Sequence, residues 1–244
     1  MSENQRDRDF QTTQWSLILS SQQQADSSVR QKSLGELCRA YWYPLFAFLR
    51  RKGHSPDDAA DFVQGFFFEL IDKQFLNSVS EKKGRFRWFL MSAIKRFVSK
   101  ELEKRLAQKR GGSRTFFSFD IGDAEERYQR EPVDGWTAEK LFDRRWALEV
   151  IQQALTVLKS NHEKKGKLQL YLALQATLTG AQINQQRYEE IGTEFSMSAG
   201  AVKVAALRLR EKYRQTLKDI VGQTINEPDS VEDELDQLLA ALRG

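Results

Sequence analysis

Residues 196–215 read SMSAGAVKVAALRLREKYRQ, and the way this stretch is folded decides how the rest of the chain is read. Val202, Ala206, Leu209 and Tyr213, followed by Leu217, recur at spacings of three and four, so one side of a helix packs on a core. At about 100° per residue, Lys203, Leu207, Arg210 and Arg214 fall together on the other side, with Val204 and Arg208 alongside. A leucine among cations on an exposed face is where a base-reading side chain would sit. An ordinary basic helix of a bundle has the same pattern.

Just upstream, residues 188–195 carry a second helical pattern, and Ser196, Met197 and Ser198 join the two. With Ile191, Phe195 and Met197 opposite Val202 and Leu209, the pair has the proportions of a helix-turn-helix, and Ser198 is placed to cap its second helix. In that arrangement Arg210, Lys212 and Arg214 would hold phosphates. Lys203, Val204, Leu207 and Arg208 would reach base edges in the major groove.

Outward from this pair the chain remains helical in pattern. Strand-like alternation is nearly absent and glycine and proline are few among the 244 residues, which predicts an all-α protein. A first domain is expected over residues 10–110. It holds a short helix near 14–20 and a longer one over about 26–51, bent at Tyr43-Pro44 and ended by Gly53. The next begins with Ser55 as N-cap, Pro56 at the first position and Asp57 and Asp58 in the first turn, and runs to about Asp72. A basic helix follows from near Gly84 to about Gln108. Residues 111–137 lose all periodicity and read as a flexible interdomain linker, although Phe116, Phe117 and Phe119 suggest that part of it docks. A second domain is expected over 138–222, with further helices near 141–158, striped by Leu148, Ile151, Leu155 and Leu158, and near 167–178. The last stretch, 223–244, is a short acidic helical extension in which Val231, Leu235, Leu238, Leu239 and Leu242 form an apolar stripe that packs back or binds elsewhere.

Charge is distributed unevenly. The net value is only +4, but residues 82–110 hold eleven Lys or Arg against Glu101 and Glu103, whereas Glu227, Asp229, Glu232, Asp233, Glu234 and Asp236 meet no cation until Arg243. Such asymmetry points to nucleic acid for the basic parts. The acidic end has the charge to cover a basic face of the same chain.

On the basic helix Phe86, Leu90, Ala93 and Phe97 form the inner side. Trp88, Ser92, Lys95, Arg96 and Ser99 are left for the outer one. A tryptophan among cations can stack on an unpaired base while the cations hold phosphates, a combination suited to single-stranded nucleic acid. The competing reading packs Trp88 beneath a neighbouring helix. On the preceding helix Ala59, Val63, Phe66, Phe67 and Leu70 face inward, and Asp58, Asp61, Gly65, Phe68 and Asp72 make an acidic strip with one aromatic, either a solvated face or a protein-docking surface.

Several function classes are disfavoured. Cys38 is alone in an apolar context and reads as a buried thiol, and His54 and His162 lie far apart with no cysteine pair near them, so no metal site or other cofactor is expected. No run approaches the roughly 18 apolar residues of a membrane span, and the first ten residues have no signal-peptide core. A cytoplasmic location is expected. Asp57, Asp58 and Asp61 are explained by the helix dipole rather than by metal-dependent nuclease chemistry, and no enzymatic activity is expected.

A single-strand reader and a duplex reader on two helical domains are what opening a promoter requires. Over nearly all of residues 15–221 the chain resembles bacterial RNA polymerase sigma factors of the extracytoplasmic-function (ECF) type, in particular a planctomycete-like branch. The segments carrying the resemblance are YWYPLFAFLRRKGHSPDDAADFVQGFF, GRFRWFLMSAIKRFVSKELEKRLAQKRGG, REPVDGWTAEKLFDRRWALEV and YEEIGTEFSMSAGAVKVAALRLREKYR. The resemblance implies a first domain like sigma region 2, which binds the clamp of core RNA polymerase and the melted −10 element. It implies a second like region 4, which binds the polymerase flap and the duplex −35 element. On this basis Asp58, Asp61, Gln64, Phe67 and Phe68 are expected to contact core polymerase. Arg87, Trp88, Ser92, Lys95, Arg96 and Ser99 are expected on single-stranded promoter DNA, and Ser198, Lys203, Val204, Leu207, Arg208, Arg210 and Lys212 on double-stranded DNA. Gly65 stands where the family usually has Glu, and Arg96 where it often has Asn. Val204 and Ala205 replace Ser and Arg, which favours contacts to thymine methyl groups. An anti-sigma factor is an optional further partner. The alternative reading is an autonomous helix-turn-helix transcriptional regulator, which would need only the second domain and would normally dimerise.

Overall fold

The structure is a computed structural model; it describes residues 27–71, 85–107, 120–131, 135–179, 184–225 and 231–243. Among these residues every regular element is helical, so the all-α expectation holds. In chain order the helices are α1 (Ser27–Arg51), α2 (Pro56–Ile71), α3 (Phe86–Ala107), α4 (Ile121–Gln129), α5 (Ala138–Glu163), α6 (Leu168–Leu174) with a 3₁₀ extension Gln175–Thr179, α7 (Gln185–Glu194), α8 (Ala199–Gly222) and α9 (Val231–Arg243). The helix expected at 14–20, Asp72, Phe116, Phe117, Phe119 and Glu227 lie outside the described residues. No described helix is long and apolar enough to cross a membrane.

The chain divides into two compact units: residues 1–147 together with 222–244, and residues 148–221. The expected boundary at residue 138 therefore differs from the observed division, which falls inside α5 between Ala147 and Leu148. Side chains explain the difference. The Phe142 ring packs edge-on against Phe48, with centroids 6.5 Å apart, and the Trp146 indole N–H donates to the Tyr41 hydroxyl at 3.0 Å, so the opening turns of α5 belong to the first core.

That first core is aromatic. Tyr41, Phe46 and Phe48 of α1, Phe66 and Phe67 of α2, Phe86 of α3, and Phe142 and Trp146 of α5 are all fully buried, each worth about 1.5–3 kcal/mol relative to exposure. Pro44 sits inside α1, which continues through it to Arg51; Gly53, at φ +94°, then ends the run. Ser55 Oγ accepts from the Asp58 N–H at 3.1 Å and starts α2 at Pro56, as its sequence predicts. Gly65 has a structural reason as well: a Cβ there would lie 3.0 Å from Phe97 Cζ, so the glycine lets α3 approach α2 closely.

Part of the stretch expected to be a linker is ordered. Asp120 accepts from the Asp123 N–H at 3.0 Å and caps α4. The helix is then pinned by side chains too far apart in sequence for local pattern to reveal. Arg50 grips Glu125 with two hydrogen bonds of 2.7 and 2.8 Å, Arg127 lies 3.8 Å over the Tyr43 ring, and buried Glu131 accepts from the Tyr43 hydroxyl at 2.9 Å while pairing with Arg145. Nine residues are too few for a readable period.

In the second unit Leu158, Tyr171, Leu174, Ile191, Val202, Ala206 and Leu209 form a continuous core, with Tyr188, Phe195, Met197 and Tyr213 packed against it. The expected α5 stripe is shifted here: Val150, Ala154 and Leu158 are buried, while Leu148, Ile151 and Leu155 are half-buried.

Candidate nucleic-acid and partner interfaces

In the second unit a short turn joins α7 to α8. The turn depends on close backbone packing: the Met197 N–H donates to the Gly192 carbonyl at 2.8 Å, Ser196 adopts φ +52°, and a Cβ on Gly192 would lie 2.6 Å from the Met197 carbonyl oxygen. Nothing larger than glycine fits there without moving backbone. Ser198 Oγ accepts from the Ala201 N–H at 3.1 Å, the expected N-cap. Its oxygen is thereby engaged, leaving the hydroxyl proton available to a phosphate.

With Val202, Ala206 and Leu209 buried, Lys203, Val204, Leu207, Arg208, Arg210 and Lys212 all lie on the exposed side of α8, and Leu207 keeps 52% of its surface in solvent. Lys203 Nζ is 5.5 Å from the Tyr188 ring centroid, which holds it near the start of the face. Beside these residues is a groove of about 450 Å³ whose lining includes His162, Lys167, Tyr171, Val204, Arg208 and Lys212. His162 itself is fixed by a 2.7 Å contact from Nδ1 to the Leu158 carbonyl and by packing on Tyr171.

In the first unit α3 buries Phe86, Leu90, Ala93, Ile94, Phe97 and Val98. Trp88 is 49% exposed, so the reading that places it beneath a neighbouring helix is not what is observed. Ser92, Lys95, Arg96 and Ser99 share the exposed side. Two of them have internal partners: Ser99 donates to the Lys95 carbonyl at 3.0 Å, and Lys95 Nζ donates to Glu139 at 2.9 Å. Lys52 reaches the same carboxylate at 3.2 Å. The hydrogen bond from Lys95, opposed by burial and reinforced by backbone and by Lys52, brings the Glu139 carboxyl down to about 2.

Arg87 requires a correction. It was expected on single-stranded promoter DNA but is 3% exposed, because α3 starts beneath α9. Its Nε donates to Glu234 at 2.6 Å and its Nη2 reaches the same carboxylate at 3.3 Å, while Asp143 and Gln237 take its other donors. The guanidinium also lies 4.8 Å from the Trp146 ring centroid. Sequence reading missed Arg85, whose Nε pairs with Glu234 at 2.8 Å and whose guanidinium covers the Trp88 ring at 4.8 Å. The signal available was the inverted charge of the C-terminal extension, which names a sign but no partner. The apolar stripe of α9 explains the docking: Leu235 and Leu238 are buried, Val231 and Leu242 half-buried, and Leu239 stays exposed.

On α2, Asp61 and Phe68 are exposed and Gln64 is half-buried. Asp58 is held by Ser55 at 2.8 Å and by Arg105 at 2.6 Å, and the hydrogen bond from Arg105 is the main reason its carboxyl lies below the usual range. Phe67 is the second correction: its helical period puts it inward and it is 1% exposed, so the contact with core polymerase that the resemblance implies for it is not available while the unit is folded. The adjacent Phe68 takes the outward position, because neighbouring helical residues point about 100° apart. Cys38 is buried, and burial pushes its thiol up to about 12. No family model matches the chain, and no curated protein or solved structure matches it either.

Proposed function

We propose that this protein is an ECF-type sigma factor that binds core RNA polymerase in the cytoplasm and directs promoter recognition, melting and initiation. The observation that carries the reading is the pairing, in one chain, of two chemically different faces: a half-exposed tryptophan among cations on α3, and a helix-turn-helix whose α8 exposes Val204 and Leu207 between Lys203 and Arg208. An unpaired base stacks on the first kind of face; a duplex major groove accepts the second. Asp61, Gln64 and Phe68 give α2 an acidic, partly apolar surface on which a polymerase clamp would dock. An autonomous regulator has use for the α8 face alone.

In the proposed mechanism the protein's own groups only bind. Arg210 and Lys212 set the register on upstream phosphates, Lys203 and Arg208 reach base edges, and Val204 and Leu207 contact thymine methyl groups. Trp88 stacks on a base of the opened strand while Arg96 and Lys95 hold its phosphates.

The deciding experiment mixes purified protein with bacterial core polymerase and a genomic promoter library. Stable complex formation and start-site-specific transcripts are expected. Sequence-specific binding to DNA without polymerase, and no initiation with it, would replace this reading with the autonomous regulator.

A further inference from the structure

The most unusual charge in the first unit is Glu234. It belongs to a strongly acidic helix, yet its side chain is 1% exposed and sits between two guanidiniums, Arg85 Nε at 2.8 Å and Arg87 Nε at 2.6 Å. Both guanidiniums also lie against the Trp88 ring, at 4.8 and 5.4 Å from its centroid. A carboxylate that pairs with two guanidiniums occupies the position a phosphate group would take between the same donors, since both anions accept from arginine in forked geometry.

We propose that α9 is an intramolecular latch: Glu234 stands in for a nucleic-acid phosphate at Arg85 and Arg87, and its withdrawal completes the single-strand site around Trp88. The inference rests on the sigma-factor reading above for what the opened site binds. Three observations support it beyond the charge pairing.

The hold of α9 is small in apolar terms, since Leu235 and Leu238 are its only buried apolar side chains among the described residues. A buried ion pair adds little net stability over an apolar contact, because desolvation of the charges offsets their attraction. Such a helix is retained by what it neutralises and can be exchanged for another anion. Second, the arginines respond differently to its departure. Arg87 keeps Asp143, whereas Glu234 is the only ion-pair partner of Arg85 among the described residues. Arg85 is therefore the cation released, and it already lies over the tryptophan. Third, a cleft of about 240 Å³ lined by Arg87, Trp136, Lys140, Asp143, Gln237 and Ala241 opens onto Arg87 along α9, so α9 is not sealed against the rest of the unit on that side.

The test uses full-length protein, a Glu234→Gln variant and a second variant truncated after Ile225, with fluorescein-labelled oligothymidine as probe. Both variants are expected to bind the oligonucleotide severalfold more tightly than the parent. The slope of log affinity against log salt should steepen by about 0.7 for each phosphate newly engaged. Adding Trp88→Ala should erase the gain. Amide hydrogen exchange of α9 and the far-ultraviolet spectrum report whether each variant is folded and unlatched; if Glu234→Gln does not fold, the truncation carries the test. An unlatched, folded variant with no gain in affinity overturns the latch, and if Trp88→Ala still weakens the binding of polymerase holoenzyme to a nontemplate strand, the sigma reading stands without it. If Trp88→Ala leaves holoenzyme binding to that strand unchanged, the single-strand reading and the latch both fall.

Discussion

Gly192 shows how one residue can decide an interface it does not touch. The turn between α7 and α8 brings the Met197 carbonyl to within 2.6 Å of where a Cβ would sit, and the clash is with backbone, which cannot rotate aside. Gly192→Ala is expected to destabilise the second unit by about 1–3 kcal/mol, the usual cost of overpacking. Gly200 is the control. A Cβ there meets only Ser198 Oγ at 3.9 Å, so Gly200→Ala should be neutral or stabilise by up to about 1 kcal/mol. Urea unfolding of both variants, followed by circular dichroism, checks the contrast; equal effects would mean the turn relaxes. Nothing in local sequence distinguishes these two glycines, because the difference lies in where residue 197 returns in space. Gly65 is similar: read from sequence it is a departure from a motif, and in the fold it is the place where Phe97 passes.

At the scale of elements, the charges of α3 were legible but their assignments were not. Periodicity correctly put Trp88, Ser92, Lys95, Arg96 and Ser99 outside and Phe86, Leu90, Ala93 and Phe97 inside. The expectation that Arg87 meets single-stranded DNA is what failed, because the residue packs beneath α9, an element nearly 150 residues further along the chain. Lys95 joins α3 to the start of α5 through Glu139, and Lys52 adds the end of α1. The Glu139 pKa is lowered on folding from 4.5 to about 2, so its contribution is complete above about pH 4.5 and is lost as pH falls toward 2. Glu139→Gln should therefore lower the urea midpoint at pH 6 and have a shrinking effect down to pH 2, where parent and variant converge. The difference at pH 6 will be modest because the site is more than a third exposed and solvent screens it. A gap that does not change with pH would assign the effect to packing.

For the whole molecule, the proposed function requires the two units to fail separately. Lys203→Ala with Arg208→Ala is expected to reduce promoter discrimination by about 1–3 kcal/mol for each lost base contact and to leave the affinity for core polymerase unchanged. Trp88→Ala is expected to slow promoter melting while duplex binding persists. Transcription from linear and pre-melted templates, alongside polymerase pull-down, separates the two defects; a pre-melted template should rescue Trp88→Ala and not the double variant. Loss of polymerase binding in both would reject the division of roles.

Much of this was determined by the sequence alone. The two helices α7 and α8 with the turn between them, the Ser198 cap, the start of α2 at Ser55-Pro56 and the exposed side of α8 all follow from local rules: side-chain period, missing donors and capping oxygens act over four or five residues. Only the tertiary structure decided that α4 is a helix, that the opening turns of α5 belong to the first unit, and that Glu234 closes over Arg85 and Arg87. Each of these depends on pairing between residues tens to more than a hundred positions apart. An ion pair or an aromatic contact requires only that two groups meet, and a one-dimensional pattern does not contain which ones do.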